Sequence, residues 1–91
     1  MKHLERIFRG LANRRRLAII RLLAQNKELP VAEIARRINL SFTSTSKHLL
    51  ILHQLDIVEK RQESLNVYYR LANPLPHAVK PVVSFISNSR E

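Results

Sequence analysis

The sequence predicts a mainly α fold with one small β-hairpin, in the order α-α-α-α-β-β-α. Three observations carry this. Apolar residues recur at helical spacing in four successive segments up to Leu55, the period drops to two between Val58 and Leu71, and helical spacing returns from Val79 to Ile86. Ninety-one residues make a single domain, 1–91, with enough chain for one core and little to spare.

In residues 2–11, KHLERIFRGL, Leu4, Ile7, Phe8 and Leu11 share one face, and Gly10 weakens the helix end so that the chain can turn. Asn13 is a good N-cap for a second helix running to about Gln25, with Leu17, Ile20, Leu23 and Ala24 as its core stripe. Arg14, Arg15 and Arg16 fill its first turn, where the positive end of the helix dipole disfavours cations by about 0.3 to 1 kcal/mol each. Three in a row point to a purpose outside the helix. Arg14 and Arg15 can reach phosphates; Arg16 shares a face with Ile20 and reads equally well as a packed, salt-bridging structural arginine.

The segment from Pro30 to Leu55 organises the rest of the chain. Val31, Ile34, Ala35 and Ile38 lie at i, i+3, i+4 and i+7, with Pro30 marking the helix start. Arg36 and Arg37 lie off this stripe, where they either hold phosphates or are simply solvated, and Glu33 can pair with Arg37. Asn39, Leu40 and Ser41 break the pattern, and Ser41 is the N-cap of a helix from Phe42 to Leu55. Its core side holds Thr45, Leu49 and Leu52, with Phe42 at the edge and Leu55 farther round. The opposite side gathers Thr43, Ser46, Lys47, Leu50 and Gln54, with Ser44 at the flank. Serine and threonine are mediocre helix formers, so their crowding here needs another reason than helix propensity. DNA recognition supplies one, because short side chains let a helix enter the major groove while hydroxyls bond bases or phosphates. The alternative is a solvated face that happens to be rich in hydroxyls.

After Leu55, Val58-Glu59-Lys60-Arg61 and Val67-Tyr68-Tyr69-Arg70-Leu71 alternate around turn formers in Gln62 to Asn66. This predicts a hairpin with Val67, Tyr69 and Leu71 facing the core, Tyr68 and Arg70 facing outward, and Lys60 and Arg61 near the tip. A hairpin directly after such a helix is a wing, whose basic tip can lie along the DNA backbone or in the minor groove. The architecture is then a winged helix-turn-helix, with the helix-turn-helix at about 31–55 and the wing at about 57–71. A terminal helix at about 75–88 carries Val79, Val82, Val83 and Ile86, and Pro81 is expected to bend or split it. Ser87 to Glu91 is expected to fray. The stripes of the first and last helices both need cover, which predicts a symmetric homodimer through Leu4, Ile7, Phe8, Leu11, Val79, Val82, Val83 and Ile86.

Charge supports a polyanionic partner. Lys plus Arg number 16 against seven acids, a formal +9, of which residues 1–37 carry +7. No apolar run approaches the roughly 18 residues of a membrane span, and the N-terminus has no signal-peptide core, so a soluble cytoplasmic chain is expected. The absence of cysteine excludes disulfides and thiolate metal sites, and a single glycine excludes a Gly-rich phosphate loop. Asp56 and Glu59 make no acid–base pair, His53 with Asp56 offers two metal ligands where a site needs about four, and His3 and His77 meet only across an interface. His48 reads either as a phosphate contact or as a partly buried polar residue. Neither an enzyme nor a resident cofactor is expected.

FRGLANRRRLAIIRLL (8–23), LSFTSTSKHLLIL (40–52) and VYYRL (67–71) together resemble the ArsR/SmtB family of winged helix-turn-helix repressors, over most of the chain from Ile7 to Leu71. At the second run that family typically reads Leu-Ser-Gln-Ser-Thr-Val-Ser-Arg-His-Leu, which Ser41, Ser46, Lys47, His48 and Leu49 match or nearly match. The resemblance implies a homodimeric repressor on an inverted-repeat operator. Its DNA contacts would be Thr43, Ser44, Ser46 and Lys47 at bases, Ser41 and His48 at the backbone, and Arg14, Arg15, Arg36, Lys60 and Arg61 at phosphates. Metal-sensing members often carry Glu-Leu-Cys-Val-Cys-Asp ahead of the helix-turn-helix. Here the run is Glu28-Leu29-Pro30-Val31-Ala32-Glu33, and the terminal helix offers only His77, so metal sensing is not expected. Phe42 stands where glutamine is usual, Leu50 replaces a usual lysine, and Ser64-Leu65 replaces glycine and arginine at the wing. Leu50 suits either a thymine methyl or a protein. The competing classes are a winged-helix protein-interaction module anchored by Phe42 and Leu50, and a non-specific chromatin-type DNA binder.

Overall fold

In the computed structural model, which describes residues 1–89, the chain forms α1 (Lys2–Leu11), α2 (Arg14–Gln25), β1 (Leu29–Pro30), α3 (Val31–Arg37), α4 (Phe42–Gln54), β2 (Val58–Glu63), β3 (Asn66–Leu71) and α5 (Lys80–Ser87). The five helices and the hairpin follow the expected order, with one added element. Leu29 and Pro30 form a short strand antiparallel to β3, Leu29 opposite Tyr69 and Pro30 opposite Tyr68, so the sheet has three strands in the order β1-β3-β2. Two residues are too few to show a period in sequence, and proline is tolerated there because β1 is an edge strand. Pro30 also serves as the extended N-cap of α3.

Asn13 caps α2, its Oδ1 accepting from the backbone N–H groups of Arg15 and Arg16 at 3.0 and 3.1 Å. Ser41 caps α4, its hydroxyl accepting from Ser44 N–H at 3.1 Å. The corner between α3 and α4 turns at Asn39, whose φ of 56° falls in the left-handed region that asparagine enters more readily than most residues. Gly10 does not end α1, which runs on to Leu11. A Cβ on Gly10 would overlap Leu55 Cδ1, so glycine there lets α1 pack closely against the end of α4.

One core joins all the elements. Ile19, Ile20, Ile34, Leu49, Leu52, Ile57, Val58 and Val79 are almost completely buried, and Thr45 is buried with them. On α2 the stripe is centred on Ile19, Ile20 and Leu23; Leu17 and Ala24, expected in it, are only half-buried. Tyr69 is buried and Arg70 exposed, as alternation requires, while Tyr68 is half-buried under Arg61.

Four expectations need correction. The β2–β3 ladder continues to Glu63 opposite Asn66, so the tip is Ser64-Leu65, and Lys60 and Arg61 lie within the strand rather than near the tip. The terminal helix begins at Lys80 instead of about 75, and Pro81 occupies its first turn, where no N–H partner is lost, so it neither bends nor splits it. Ile7, Leu11, Val79 and Val83 pack into the chain's own core, which leaves them almost no apolar surface for a partner. Of the expected interface residues Leu4, Val82 and Ile86 are half-buried and Phe8 is 49% exposed, and α5 adds Phe85, 75% exposed, which the apolar spacing did not single out. The expected fraying does not reach Ser87, whose hydroxyl donates to Val83 C=O at 2.8 Å; Arg90 and Glu91 lie outside the described residues.

Candidate nucleic-acid interface

Helix α4 buries Thr45, Leu49 and Leu52 against the core, and that fixes which side faces out. Ser41, Phe42, Thr43, Lys47, Leu50 and Gln54 are exposed, while Ser44, Ser46 and His48 are half-buried. The helix holds no acidic residue. Its exposed side is therefore a short-chain hydroxyl surface with one cation and three large apolar side chains, Phe42, Leu50 and, on the flank, Ile51.

Behind it, Arg16 ties three elements together. Its Nε donates to Gly10 C=O at 2.5 Å and Nη2 to Arg9 C=O at 3.4 Å, capping carbonyls at the end of α1 that the helix leaves unpaired. Nη1 lies 3.1 Å from His48 Nδ1. A guanidinium can only donate, so Nδ1 accepts and the His48 proton sits on Nε2. Burial, then the Arg16 and Arg15 charges, lower the His48 pKa, which keeps the ring neutral. Arg16 is thus a packed structural residue, bonded to carbonyls and a histidine and paired with no acid among the described residues, and His48 is half-buried with its Nδ1 committed to Arg16. Arg14 is exposed and Arg15 half-buried beside this junction.

The remaining expected cations differ in how committed they are. Glu33 binds Arg36 at 3.0 and 2.5 Å and Arg37 at 2.6 Å, and the two guanidiniums, Arg36 first, hold its carboxyl at a pKa of about 2. Arg61 binds Glu28 at 2.6 Å and Glu63 at 2.5 Å and stacks 4.7 Å over the Tyr68 ring. Its bond to Glu28 lowers that carboxyl's pKa and raises its own. Arg61 is therefore neutralised on the wing, whereas Lys60 is exposed and pairs with no acid among the described residues. Sequence spacing carried no signal for the Glu28–Arg61 pair, because 33 residues separate its partners.

A groove of about 720 Å³ runs along α2 between α5 and the end of α3, lined by Leu17, Leu22, Ile38, Val82, Phe85 and Ile86, with Arg14, Arg15 and Arg37 among its polar neighbours. Among the described residues no group of three or more His, Asp or Glu side chains is placed to hold a metal ion. No helix among them is long and apolar enough to cross a membrane.

Residues 13–60, just over half of the chain and including α2, α3 and α4, match the model of the bacterial regulatory protein arsR family. The chain belongs to the arsR family. Among members, it is 37% identical over 67 residues to the transcriptional activator HlyU of Vibrio cholerae, a match covering 74% of this chain and 61% of HlyU. It is 36% identical over 66 residues to the cadmium resistance transcriptional regulatory protein CadC of Listeria innocua, covering 72% of this chain and 56% of CadC. The matched segments thus span 61% and 56% of these curated relatives, less than two thirds of their length. In structure, reduced HlyU from Vibrio cholerae superposes with a TM-score of 0.79 at 32% identity, covering 93% of this chain and 85% of that one. The solution structure of a homodimeric winged helix-turn-helix DNA-binding domain from Mycobacterium bovis, a possible ArsR-family regulator, gives 0.78 at 34% identity, covering 93% and 75%.

Proposed function

We propose that this arsR-family chain is a cytoplasmic, sequence-specific DNA-binding regulator that acts as a homodimer on an inverted-repeat operator. The observation that carries this is the outer face of α4, an acid-free surface of hydroxyls and Lys47 on a chain of net charge +9. Thr43, Ser44, Ser46 and Lys47 approach bases, Ser41 and the Nε2–H of His48 serve the backbone, and Arg14, Arg15, Lys60 and Arg36 hold phosphates. Arg61 joins them only by giving up Glu28 and Glu63, and Arg36 must likewise release Glu33.

Repression needs no more than occupancy of the operator, whereas activation needs a further protein contact, so repression is the simpler outcome even though HlyU is named an activator. The homodimer is supported by the Mycobacterium bovis domain and by Phe8 and Phe85, large apolar side chains exposed on the two terminal helices. Metal control is not part of the proposal. CadC is named for cadmium resistance, but Pro30 and Ala32 stand at the thiolate positions of the metal-sensing pattern.

Titrating selected and random duplexes at two salt concentrations tests the function. A specific regulator prefers the selected duplex at both salts, a chromatin-type binder shows no preference, and a protein-interaction module binds neither.

A further inference from the structure

On α4 two large apolar side chains face solvent where the arsR resemblance places glutamine and lysine. Phe42 is 58% and Leu50 49% exposed. They are eight residues apart, with Ser46 midway, so the three form one i, i+4, i+8 ridge beside Thr43 and Lys47. Exposing an isolated apolar side chain is ordinary, but two on one ridge of the helix that faces the partner are a patterned surface.

We propose that Phe42 and Leu50 read the C5-methyl groups of thymines, so that this chain selects operators by apolar contacts as well as by hydrogen bonds. The proposal rests on the DNA-binding function above. The thymine methyl is the apolar group that the major groove displays, and phenylalanine and other apolar side chains are its natural contacts. Phe42 is the first residue of α4, at the end from which such helices touch base edges. At a rise of about 1.5 Å per residue, Leu50 lies roughly 12 Å farther along the axis, the height of about three to four base steps. DNA is favoured over a protein as the occupant because the ridge is bordered by hydroxyls and a cation, and no carboxylate on α4 would repel phosphates.

Replacing thymines of a selected duplex one at a time by deoxyuridine removes only the methyl group. The parent chain should lose about three- to tenfold affinity at one or two thymines per half-site, three to four base pairs apart where there are two. Phe42→Ala should abolish the penalty at one of these positions and Leu50→Ala at the other, and both side chains are exposed enough for the variants to fold. Deoxyuridine duplexes that all bind within twofold of the parent duplex would overturn the proposal, as would penalties that persist in both variants. If both variants kept parental affinity for every duplex, the ridge would serve a protein partner instead. A parent chain with no preference for selected over random DNA would overturn the function itself, whereas selective binding blind to the methyls overturns only this inference.

Discussion

Arg16 and His48 show how one residue pair links the end of α1 to the helix whose outer side is the proposed DNA face. The arginine closes the end of α1 and holds Nδ1 of a histidine on α4 as an acceptor, which directs the proton to Nε2. Protonating His48 would put an N–H against the guanidinium. Because the folded pKa lies below the usual value near 6.5, both folded and unfolded chains carry neutral His48 at higher pH, and its contribution to stability is fully present there. As the pH falls below about 6.5 the unfolded chain takes up the proton first, so this contribution is lost toward the lower folded pKa. Thermal unfolding between pH 7.5 and 5 should show a decline in stability that is shallower in His48→Gln. An equal slope in the variant would contradict the geometry. Spacing alone left Arg16 and His48 with two readings each, because a side chain's partner lies in another element.

At the scale of elements, the helix-turn-helix depends on its corner. Asn39 adopts a left-handed backbone that a β-branched residue resists, and Ser41 then caps α4. Asn39→Val should cost about 1 to 2 kcal/mol in denaturant unfolding, whereas Asn39→Gly should be nearly neutral. Equal losses in the two variants would show that the side chain and not the backbone matters. The helices were legible because caps and apolar spacing are local signals, as Asn13 and Ser41 demonstrate. The two-residue strand β1, the run of the β2–β3 ladder past Lys60 and Arg61 to Glu63, and the late start of α5 were not, since each is set by pairing or by a turn whose pattern is shorter than a period.

For the whole molecule the sequence predicts an apolar surface shared by two copies, and four of the eight residues it names are buried within their own chain. Periodicity marks the apolar side of a helix without saying whether its own chain or a second copy covers it, and Ile7, Leu11, Val79 and Val83 proved to be covered by their own chain. The proposed dimer therefore depends on what stays exposed. Phe85→Asp should shift sedimentation at micromolar concentration from dimer to monomer while leaving the helical circular dichroism unchanged. An unchanged dimer would move the interface away from α5. With proline and alanine at the thiolate positions, one equivalent of zinc should alter operator affinity by less than twofold. A tenfold loss abolished by His3→Ala with His77→Ala would instead reveal a site built across the interface.

In the proposed function the hydroxyl face of α4 reads sequence while the N-terminus of α2 only holds the backbone. Comparing Ser46→Ala with Arg14→Ala on selected and random duplexes across a salt series separates the two roles. Ser46→Ala should lower discrimination by about 0.5 to 1.5 kcal/mol, the worth of one hydrogen bond, with the salt slope unchanged. Arg14→Ala should weaken every duplex alike and reduce the salt slope by about one unit. Sequence preference altered by Arg14→Ala and untouched by Ser46→Ala would contradict the account.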